Sequence, residues 1–426
     1  MLRKNRLFTL LVLAALILSA CQPIQPVAST QVPAAEASTP RLDDATAVAI
    51  DALIQEMMAR NHLPGFALGV VKDGELVYAK GFGVTNLDGG APVTPQTVFQ
   101  WAETSMALTA MAAMQLAEEG TLPQDPPASD YVPYFESQGK LDLNARVTDY
   151  VPYLTMKDER YRDITVEQLL THTSGIPDSG DTMADWATFL PEYDAGALER
   201  WIRNDLADTG LLFAPGSGFE YSDQGYALLG AVIAAASGQT YEEYMAQHIL
   251  GPLGMGKSTF LLEDVDKALL ASPHVPSAAG EVVVSEAMSY HRPFAATNNL
   301  FSSIEDMAKL AQASLHGGTT QGRPILSERA FAEMWHAHSA TPFADIAFGR
   351  VHPSALMLDW GCGWFLGDVA GHGTPNAFGM EQGFQAGVVL APDGSLAVIA
   401  VGNGPVGEEF YASDTATDVL AMLLQS

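Results

Sequence analysis

Leu169-Leu170-Thr171-His172-Thr173-Ser174-Gly175-Ile176 is the most characteristic segment of this 426-residue chain. Thr165-Val166-Glu167-Gln168 comes directly before it and has the Thr-x-x-Gln pattern of a helix capping box. A short helix is therefore predicted to begin after Thr165 and to end near His172. A cation or a hydrogen-bond donor is favourable at a helix C-terminus, so we interpret His172 as a structural residue.

Further blocks follow this segment along the chain. They are Pro215-Gly216, Tyr221-Ser222-Asp223-Gln224-Gly225-Tyr226-Ala227-Leu228-Leu229-Gly230, Pro252-Leu253-Gly254-Met255, Leu300-Phe301-Ser302-Ser303-Ile304-Glu305-Asp306-Met307 and Gly371-His372-Gly373. Together with the first segment, these blocks resemble the serine β-lactamase and penicillin-binding-protein family. That family includes class C β-lactamases, D-alanyl-D-alanine carboxypeptidases, esterases and D-aminopeptidases. The resemblance extends over roughly residues 43 to 422.

The pattern of apolar residues predicts strands near both ends of the chain and helices between them. Helical spacing covers Asp43 to Asn61, and a final helical stretch runs through Val419–Leu424. The predicted strands are Phe66–Val71 and Leu76–Phe82, joined by the turn Lys72-Asp73-Gly74, and Phe384–Leu390 and Leu396–Val401. We therefore predict an α/β (α+β) fold, in which an antiparallel sheet built from both chain ends is flanked by helices beside a mostly helical middle region. The resemblance implies the same β-lactamase/transpeptidase-like arrangement.

The first forty residues have the composition of an export signal and a tether. Arg3, Lys4 and Arg6 precede an apolar run from Leu7 to Leu18, which is shorter than the roughly 20 residues that span a bilayer. Residues 1–20 are predicted to be a signal peptide, 21–41 a flexible Pro-, Ala- and Ser-rich tether, and 42–426 the folded domain.

Leu18-Ser19-Ala20-Cys21 also resembles the bacterial lipobox, which implies that Cys21 is lipidated. The protein is then expected to be exported and lipid-anchored, outside the cytoplasmic membrane or in the periplasm or outer membrane. Ordinary signal cleavage, with Cys21 as a bystander, is the alternative. Cys362 is the other cysteine, so a lipidated Cys21 would leave no intramolecular disulfide.

The net charge of the chain argues against a nucleic-acid partner. It is −29 for the full sequence and near −32 without the three basic residues of the signal. An acidic chain of this kind has no basic footprint for phosphate backbones. One local repeat, Leu122–Phe135 with Leu141–Leu154, is interpreted as a duplicated surface loop.

Common catalytic motifs are absent from the sequence. There is no Gly-x-Ser-x-Gly, no P-loop, no His-Glu-x-x-His and no paired Cys-x-x-Cys, and we predict neither a cofactor nor a metal site. Ser137-Gln138-Gly139-Lys140 matches Ser-x-x-Lys by letter only, because Gly139 and its loop setting do not open an apolar helix. Candidate catalytic residues are therefore assigned from the family resemblance.

The first catalytic element of the family, Ser-x-x-Lys at a helix start, is altered in this chain. The resemblance aligns it with the segment Phe99 to Ala110, in which Glu103 replaces the serine and Met106 replaces the lysine. The run Met114 to Gly120 fixes this alignment. Ser105 lies about 200° around the helix from position 103 and is not expected to face the cleft.

The other two elements are also altered. Tyr221 keeps the tyrosine of Tyr-x-Asn, but Asp223 replaces its asparagine. His372-Gly373-Thr374 resembles the third element, Lys/His-x-Gly, with Thr374 at a position that is usually glycine. Asn298-Asn299 stands where paired glycines usually precede Leu300. The family-site positions are therefore Glu103, Met106, Tyr221, Asp223, His372 and Gly373, and the predicted ligand pocket is Glu103, Tyr221, Asp223, Asn298, Asn299, His372 and Thr374.

These replacements favour a homologue that is catalytically impaired and binds a ligand or partner. Loss of a serine nucleophile costs on the order of a millionfold in turnover. Without a lysine beside it, Tyr221 should keep a pKa of about 10 and be a poor base. The alternative is a hydrolase that uses Glu103, Asp223 and His372, with or without a divalent metal.

Glu103 itself leads to a hypothesis about the ligand. A carboxylate at a helix N-terminus should be held ionised by the helix dipole, and it could occupy the former oxyanion hole. With Asp223 it would make the pocket acidic. We therefore expect any ligand to be cationic or a metal ion, the alternative being an inactive, water-filled pocket. The predicted partners are a small cationic or peptide-like ligand and the membrane that the lipid anchor would contact.

Overall fold

A computed structural model describes residues 41–118, 140–178, 193–320, 323–341, 356–405 and 411–425 of the chain. The predicted signal peptide, Cys21 and nearly all of the tether lie outside these residues, as do the first copy of the repeat and most of the segment 137–140. Within the described ranges, no helix has both the length and the hydropathy that crossing a bilayer requires.

The described strands form one large antiparallel sheet and three small two-stranded ones. The strands of the large sheet are β1 (Gly65–Lys72), β2 (Glu75–Gly83), β9 (Ser339–Ala340), β10 (Leu356–Trp360), β11 (Phe365–Val369), β12 (His372–Glu381), β13 (Phe384–Ala391) and β14 (Leu396–Gly402). Their order across the sheet is β2-β1-β14-β13-β12-β11-β10-β9. The short strands are β3 (Phe99–Gln100), β4 (His274–Pro276), β5 (Val282–Val284), β6 (Phe301–Ser302), β7 (Thr319–Thr320) and β8 (Arg323–Pro324).

The pairing of β1 with β14 joins the two ends of the domain within the large sheet. β1 pairs with β2 on one side and with β14 on the other, where Phe66 lies opposite Gly402. The turn between β1 and β2 has positive φ angles at Asp73 (51°) and Gly74 (78°), a conformation that Gly and Asp tolerate and that hairpin turns require. The predicted α+β fold with a sheet from both chain ends is confirmed.

The described helices cover both faces of this sheet. They are α1 (Asp44–Asn61), α2 (Ser105–Glu118), α3 (Val147–Tyr150), α4 (Val166–Leu170), α5 (Ala197–Asn204), α6 (Asp223–Ser237), α7 (Tyr241–Tyr244), α8 (Gly251–Leu253), α9 (Ala295–Asn298), α10 (Ile304–Leu315), α11 (Glu328–Met334) and α12 (Tyr411–Leu424). A π-helical turn, Met245–Leu250, joins α7 to α8. The last helix is described over Tyr411–Leu424, which includes the predicted helical stretch Val419–Leu424.

Two apolar clusters hold these layers together. On one face, α1 and α12 pack on the sheet through fully buried side chains such as Ile50, Val398 and Leu420. On the other face, α10 packs on β1 and β14, and the helical middle region builds the larger cluster. α2 runs through that region and buries 13 of its 14 residues, as expected for a helix that is apolar on all sides. Its N-terminal end lies beside β12.

Candidate functional site

Glu103 lies in the tight turn between β3 and α2. The backbone N–H of Trp101 donates to the carbonyl of Leu300 (2.7 Å), which ties the end of β3 to the segment after α9. Ala102 follows with a left-handed backbone (φ 45°), a strained conformation for a residue other than glycine. The turn directs the chain into α2 two residues after Glu103.

β12 passes directly over this turn. A Cβ atom at Gly379 would lie 2.6 Å from the backbone nitrogen of Glu103, so the close approach of strand and turn requires glycine. The next residue, Met380, donates its backbone N–H to Oε2 of Glu103 (2.6 Å). The Glu103 carboxyl group also accepts from its own backbone N–H. Two backbone donors therefore converge on one carboxyl group.

Met106 lies one helical turn after Glu103 and faces Tyr221. The Tyr221 hydroxyl donates to the Met106 sulfur (3.4 Å). Burial raises the pKa of Tyr221 well above its usual value, and the nearby Asp223 and Glu103 raise it further. The expectation of an ordinary pKa for Tyr221 is therefore wrong, because burial and acidic neighbours both disfavour the phenolate.

Asp223 is the first residue of α6. Ser222 caps this helix by accepting from the N–H of Gly225 (3.0 Å), and the N–H of Asp223 donates to Oδ1 of Asp178 (3.1 Å). Asp223 is 8% exposed, and among the described residues its Oδ1 has no hydrogen-bond partner. Burial raises its pKa well above the usual range, and Asp178, Glu103 and Glu381 add to that rise.

Burial also governs the ionisation of Glu103. It raises the pKa of Glu103 to about 8, with a further rise from Glu381, although the two N–H donors act in the opposite direction. The expectation that the helix terminus holds Glu103 ionised is wrong, because loss of hydration and a second acid outweigh a dipole worth about 1 kcal/mol. Glu381 is buried, its own pKa is raised by burial, and its Oε2 accepts from Nδ2 of Asn298 (3.4 Å).

The two asparagines therefore lie close to the site. Asn298 contacts Glu381 through its side-chain Nδ2. Asn299 forms a backbone bridge with Ala102, beside Glu103, and its side chain donates to the carbonyl of His291 (2.9 Å). The side chain of Asn298 thus contacts the acidic residues near Glu103, while the side chain of Asn299 holds the loop that contains His291.

His372, Gly373 and Thr374 do not join this site. They lie at the beginning of β12, whereas Met380, which contacts Glu103, is near its end. Eight residues of extended strand separate His372 from Met380, about 26 Å at 3.3 Å per residue. His372 instead pairs with Asp393, its Nδ1 lying 2.9 Å from Oδ2.

The assignment of the third element is therefore corrected. By position, Ala377-Phe378-Gly379 is the segment that reaches Glu103, with alanine where the resemblance implies lysine or histidine. The trio of Glu103, Asp223 and His372 is not assembled. Among the residues that the structure describes, no three His, Cys, Asp or Glu side chains are grouped in a way that could hold a metal ion.

His172 supports the site from behind. It follows α4, whose predicted capping box between Thr165 and Gln168 is present. Its Nδ1 accepts from the N–H of Ser222 (3.2 Å), which fixes the loop that carries Tyr221. Burial lowers the pKa of His172 to about 3, so the ring is neutral at physiological pH rather than a helix-capping cation.

Four residues of the site were missed by sequence reasoning, namely Asp178, Gly379, Met380 and Glu381. The glycine in Phe378-Gly379-Met380 was the available signal, since it lies shortly before the predicted strand Phe384–Leu390. No comparable signal marks Asp178.

A sheet covered by helices, with α2 starting beside the central strand β12, is the arrangement that the resemblance to serine β-lactamases and penicillin-binding proteins implies. The Beta-lactamase family profile matches residues 50–423. The chain therefore belongs to the β-lactamase family.

Several individual proteins are similar to this chain. The chain is 31% identical over 220 residues to protein flp of Staphylococcus aureus (strain MW2), a match to 52% of this chain and only 39% of flp. It is 26% identical over 381 residues to penicillin-binding protein 4 of Amycolatopsis lactamdurans, covering 86% of this chain and 87% of that protein. The octameric penicillin-binding protein homologue from Pyrococcus abyssi superposes with a TM-score of 0.73 at 26% identity, covering 89% of this chain and 78% of that one.

Proposed function

We propose that this protein is an exported lipoprotein whose β-lactamase-family domain binds a ligand and is impaired in, or devoid of, hydrolysis. The observation that carries the proposal is the carboxyl group of Glu103 on the N–H of Met380 (2.6 Å) and on its own N–H. By alignment, Glu103 takes the place of the nucleophilic serine of the family. The ligand is expected to be small and cationic or peptide-like.

Acyl transfer would need the same two donors, the backbone N–H groups of Met380 and Glu103. In serine hydrolases of this kind, backbone N–H groups stabilise the oxyanion of the tetrahedral intermediate. Here a substrate carbonyl would have to displace a covalently attached carboxyl group from both donors. Glu103 therefore removes the nucleophile and also blocks the oxyanion hole.

The activating groups are missing as well. Met106 offers Tyr221 a thioether where the family has a lysine ammonium, and the raised pKa of Tyr221 makes it a weaker acid than free tyrosine. Ser105 does not substitute for the lost serine. Its hydroxyl is buried, donates to the carbonyl of Ala102 (2.6 Å) and accepts from the N–H of Leu300 (3.0 Å).

Export and anchoring rest on the sequence of the first 21 residues. The basic start, the apolar run and the small residues before Cys21 support a lipoprotein signal. The lipid on Cys21 would attach the domain to the membrane, with the residues up to 41 as a tether.

The test is covalent labelling of the purified protein with a fluorescent penicillin and, separately, a fluorophosphonate. Intact mass should show no adduct with either reagent, because Glu103 replaces the serine nucleophile and Met106 replaces the lysine that would activate it. Ser105→Ala serves as the matched control, since it removes the serine nearest to Glu103. A stoichiometric mass gain in the parent protein would contradict the proposal, and its loss in Ser105→Ala would identify the nucleophile.

A further inference from the structure

We propose that this protein has a second binding site, a cavity outside the cleft of Glu103, which binds a small zwitterion with an aromatic side chain, such as an aromatic amino acid. The cavity has a volume of about 500 Å³, within the roughly 300–1,000 Å³ of small-molecule sites. The inference goes beyond the proposed function, because it holds whether or not the cleft of Glu103 hydrolyses a substrate. It is carried by the cavity, by its aromatic wall and by two opposite charges that line it.

The apolar wall of the cavity is the outer side of a small hydrophobic cluster. The centre of that cluster is buried and consists of Val98, Val265, Tyr290 and Phe301. Leu262, Leu270 and Met288 pack against it and also line the cavity, where they are only partly buried. A ligand that covered these three side chains would remove apolar surface from water, which is favourable.

Tyr193 supplies an aromatic surface that is held in place from behind. Its ring stacks on the buried Tyr290, with the ring centroids 5.6 Å apart and the planes at 13°. Its carbonyl accepts from Nη1 of Arg292 (2.5 Å), and Nε of Arg292 donates to Oε1 of Glu242 (2.8 Å). Tyr193 nevertheless lines the cavity and is 47% exposed, so its ring remains accessible to a ligand. A ring already fixed in this way favours stacking with an aromatic ligand, because little freedom is lost on binding.

Two donors that line the cavity suit a carboxylate. Lys267 is exposed, and no carboxylate within the described part of the chain forms an ion pair with it. The hydroxyl oxygen of Ser272 accepts from Nδ2 of Asn86 (2.8 Å), so its own proton is left to donate. A ligand carboxylate accepts from both an ammonium and a hydroxyl group, and the charged contact is the stronger of the two.

Glu263 lines the same cavity and provides the opposite charge. It is exposed and lies four residues before Lys267 in the chain. Burial raises the pKa of Tyr290, and the charge of Glu263 raises it further, so this carboxylate acts close to the stacked pair of tyrosines. An ionised carboxylate only accepts hydrogen bonds, and a ligand ammonium only donates them.

The two charges together select among ligands with an aromatic ring. A neutral aromatic molecule would contact the apolar wall but gain nothing from Lys267 or Glu263. An aromatic carboxylate would be repelled by Glu263, and an aromatic amine would be repelled by Lys267. An aromatic amino acid carries both charges on one carbon atom beside its ring, so it gains from all three features of the cavity.

The cavity adjoins the surroundings of Glu103 without sharing its side chains. Ser289 follows the cavity residue Met288, its carbonyl accepts from Nε2 of Gln100 (2.9 Å), and its side chain forms a hydrogen bond with Glu381. None of the described residues that line the cavity belongs to the group around Glu103. The two sites can therefore be tested separately.

The test is a titration of L-phenylalanine with the full chain at neutral pH, followed by ligand-observed NMR, which measures weak dissociation constants. Phenylpropionate and phenethylammonium are the comparison probes, since each keeps the ring and only one of the two charges. L-phenylalanine should bind more tightly than either, by about 1.5- to 5-fold, the contribution of one additional contact with an exposed charge.

Variants of the two charged residues should affect the probes differently. Lys267→Gln should weaken binding of L-phenylalanine and phenylpropionate by about 1.5- to 5-fold and should not weaken phenethylammonium. Glu263→Gln should weaken L-phenylalanine and phenethylammonium by a similar factor and should not weaken phenylpropionate. Lys72→Gln and Asp264→Asn make the same charge changes at exposed positions outside the cavity lining and should leave all three probes unaffected.

Removal of the aromatic wall should weaken all three probes. Tyr193→Ala should do so by about two- to tenfold, whereas Leu212→Ala, at a position that is 59% exposed and outside the cavity lining, should have no effect. The proposal is overturned if L-phenylalanine does not bind at millimolar concentration, if phenylpropionate or phenethylammonium matches it, or if Lys267→Gln leaves its affinity unchanged. If Tyr193→Ala does not fold, the exposed charge variants still decide. A penicillin adduct would contradict the proposed function and leave this proposal intact.

Discussion

Raising the pH is expected to weaken the fold through Glu103. Its pKa is about 8 in the folded protein and about 4.5 in the unfolded chain. At pH values between these two pKa values, Glu103 is protonated in the folded state and ionised in the unfolded state. The stabilisation from the protonated carboxyl is therefore complete below about pH 4.5, and it is lost as the pH rises through 8.

The size of this effect follows from the shift in pKa. Each pKa unit corresponds to about 1.4 kcal/mol, so the full shift would give at most about 4 to 5 kcal/mol. Glu103 is partly exposed to solvent, which screens the interaction, and we expect about 2 kcal/mol. That is a large share of the roughly 5–15 kcal/mol by which domains are stable.

Urea denaturation at about pH 5.5 and about pH 8.5 measures this effect as the change in the free energy of unfolding. The parent protein should lose about 2 kcal/mol more than Glu103→Gln over this interval, because glutamine does not titrate. Asp264→Asn, an exposed position, should behave like the parent. If the parent and Glu103→Gln lose equal amounts of unfolding free energy, the reasoning is refuted, because Glu103 would then have the same pKa in the folded and unfolded states.

Three further results are expected. Cys21→Ser should move the protein from the membrane fraction to the soluble fraction, and identical fractionation of variant and parent would rule out the lipid anchor. The triple variant Glu103→Ser, Met106→Lys, Asp223→Asn should become labelled by a fluorophosphonate, because the lysine would lie one turn from the serine and lower the pKa of the facing tyrosine; a folded but unlabelled variant would mean that the cleft has been remodelled. Gly379→Ala should cost about 1–3 kcal/mol in unfolding free energy, since its Cβ would lie 2.6 Å from the Glu103 nitrogen; an unchanged denaturation midpoint would argue against this close approach.

The hairpins β1–β2 and β13–β14 could be predicted because their determinants are local. β1 was expected at Phe66–Val71 and runs over Gly65–Lys72, since its apolar run and the Asp73-Gly74 turn are adjacent in sequence. The capping box at Thr165 was predictable for the same reason: both partners lie within four residues.

The site depends on contacts between distant segments, and here prediction failed in part. His372-Gly373-Thr374 matched a letter pattern, but the pairing of β12 with β11 and β13 sets which residue of that strand reaches Glu103. The pKa of Glu103 was misjudged for a related reason. A helix terminus is visible in sequence, whereas burial and the proximity of Glu381 arise only when the sheet packs on α2.

The pairing of Phe66 with Gly402 also has a consequence for folding kinetics. β1 and β2 can form their hairpin early, but the inner edge of β1 stays open until β14 has been synthesised. Such long-range pairing is slow because a large loop must close first. During that interval the unpaired edge of β1, with its apolar run, can pair with a strand of another molecule. Keeping the chain unfolded until β14 is available would therefore reduce aggregation through β1.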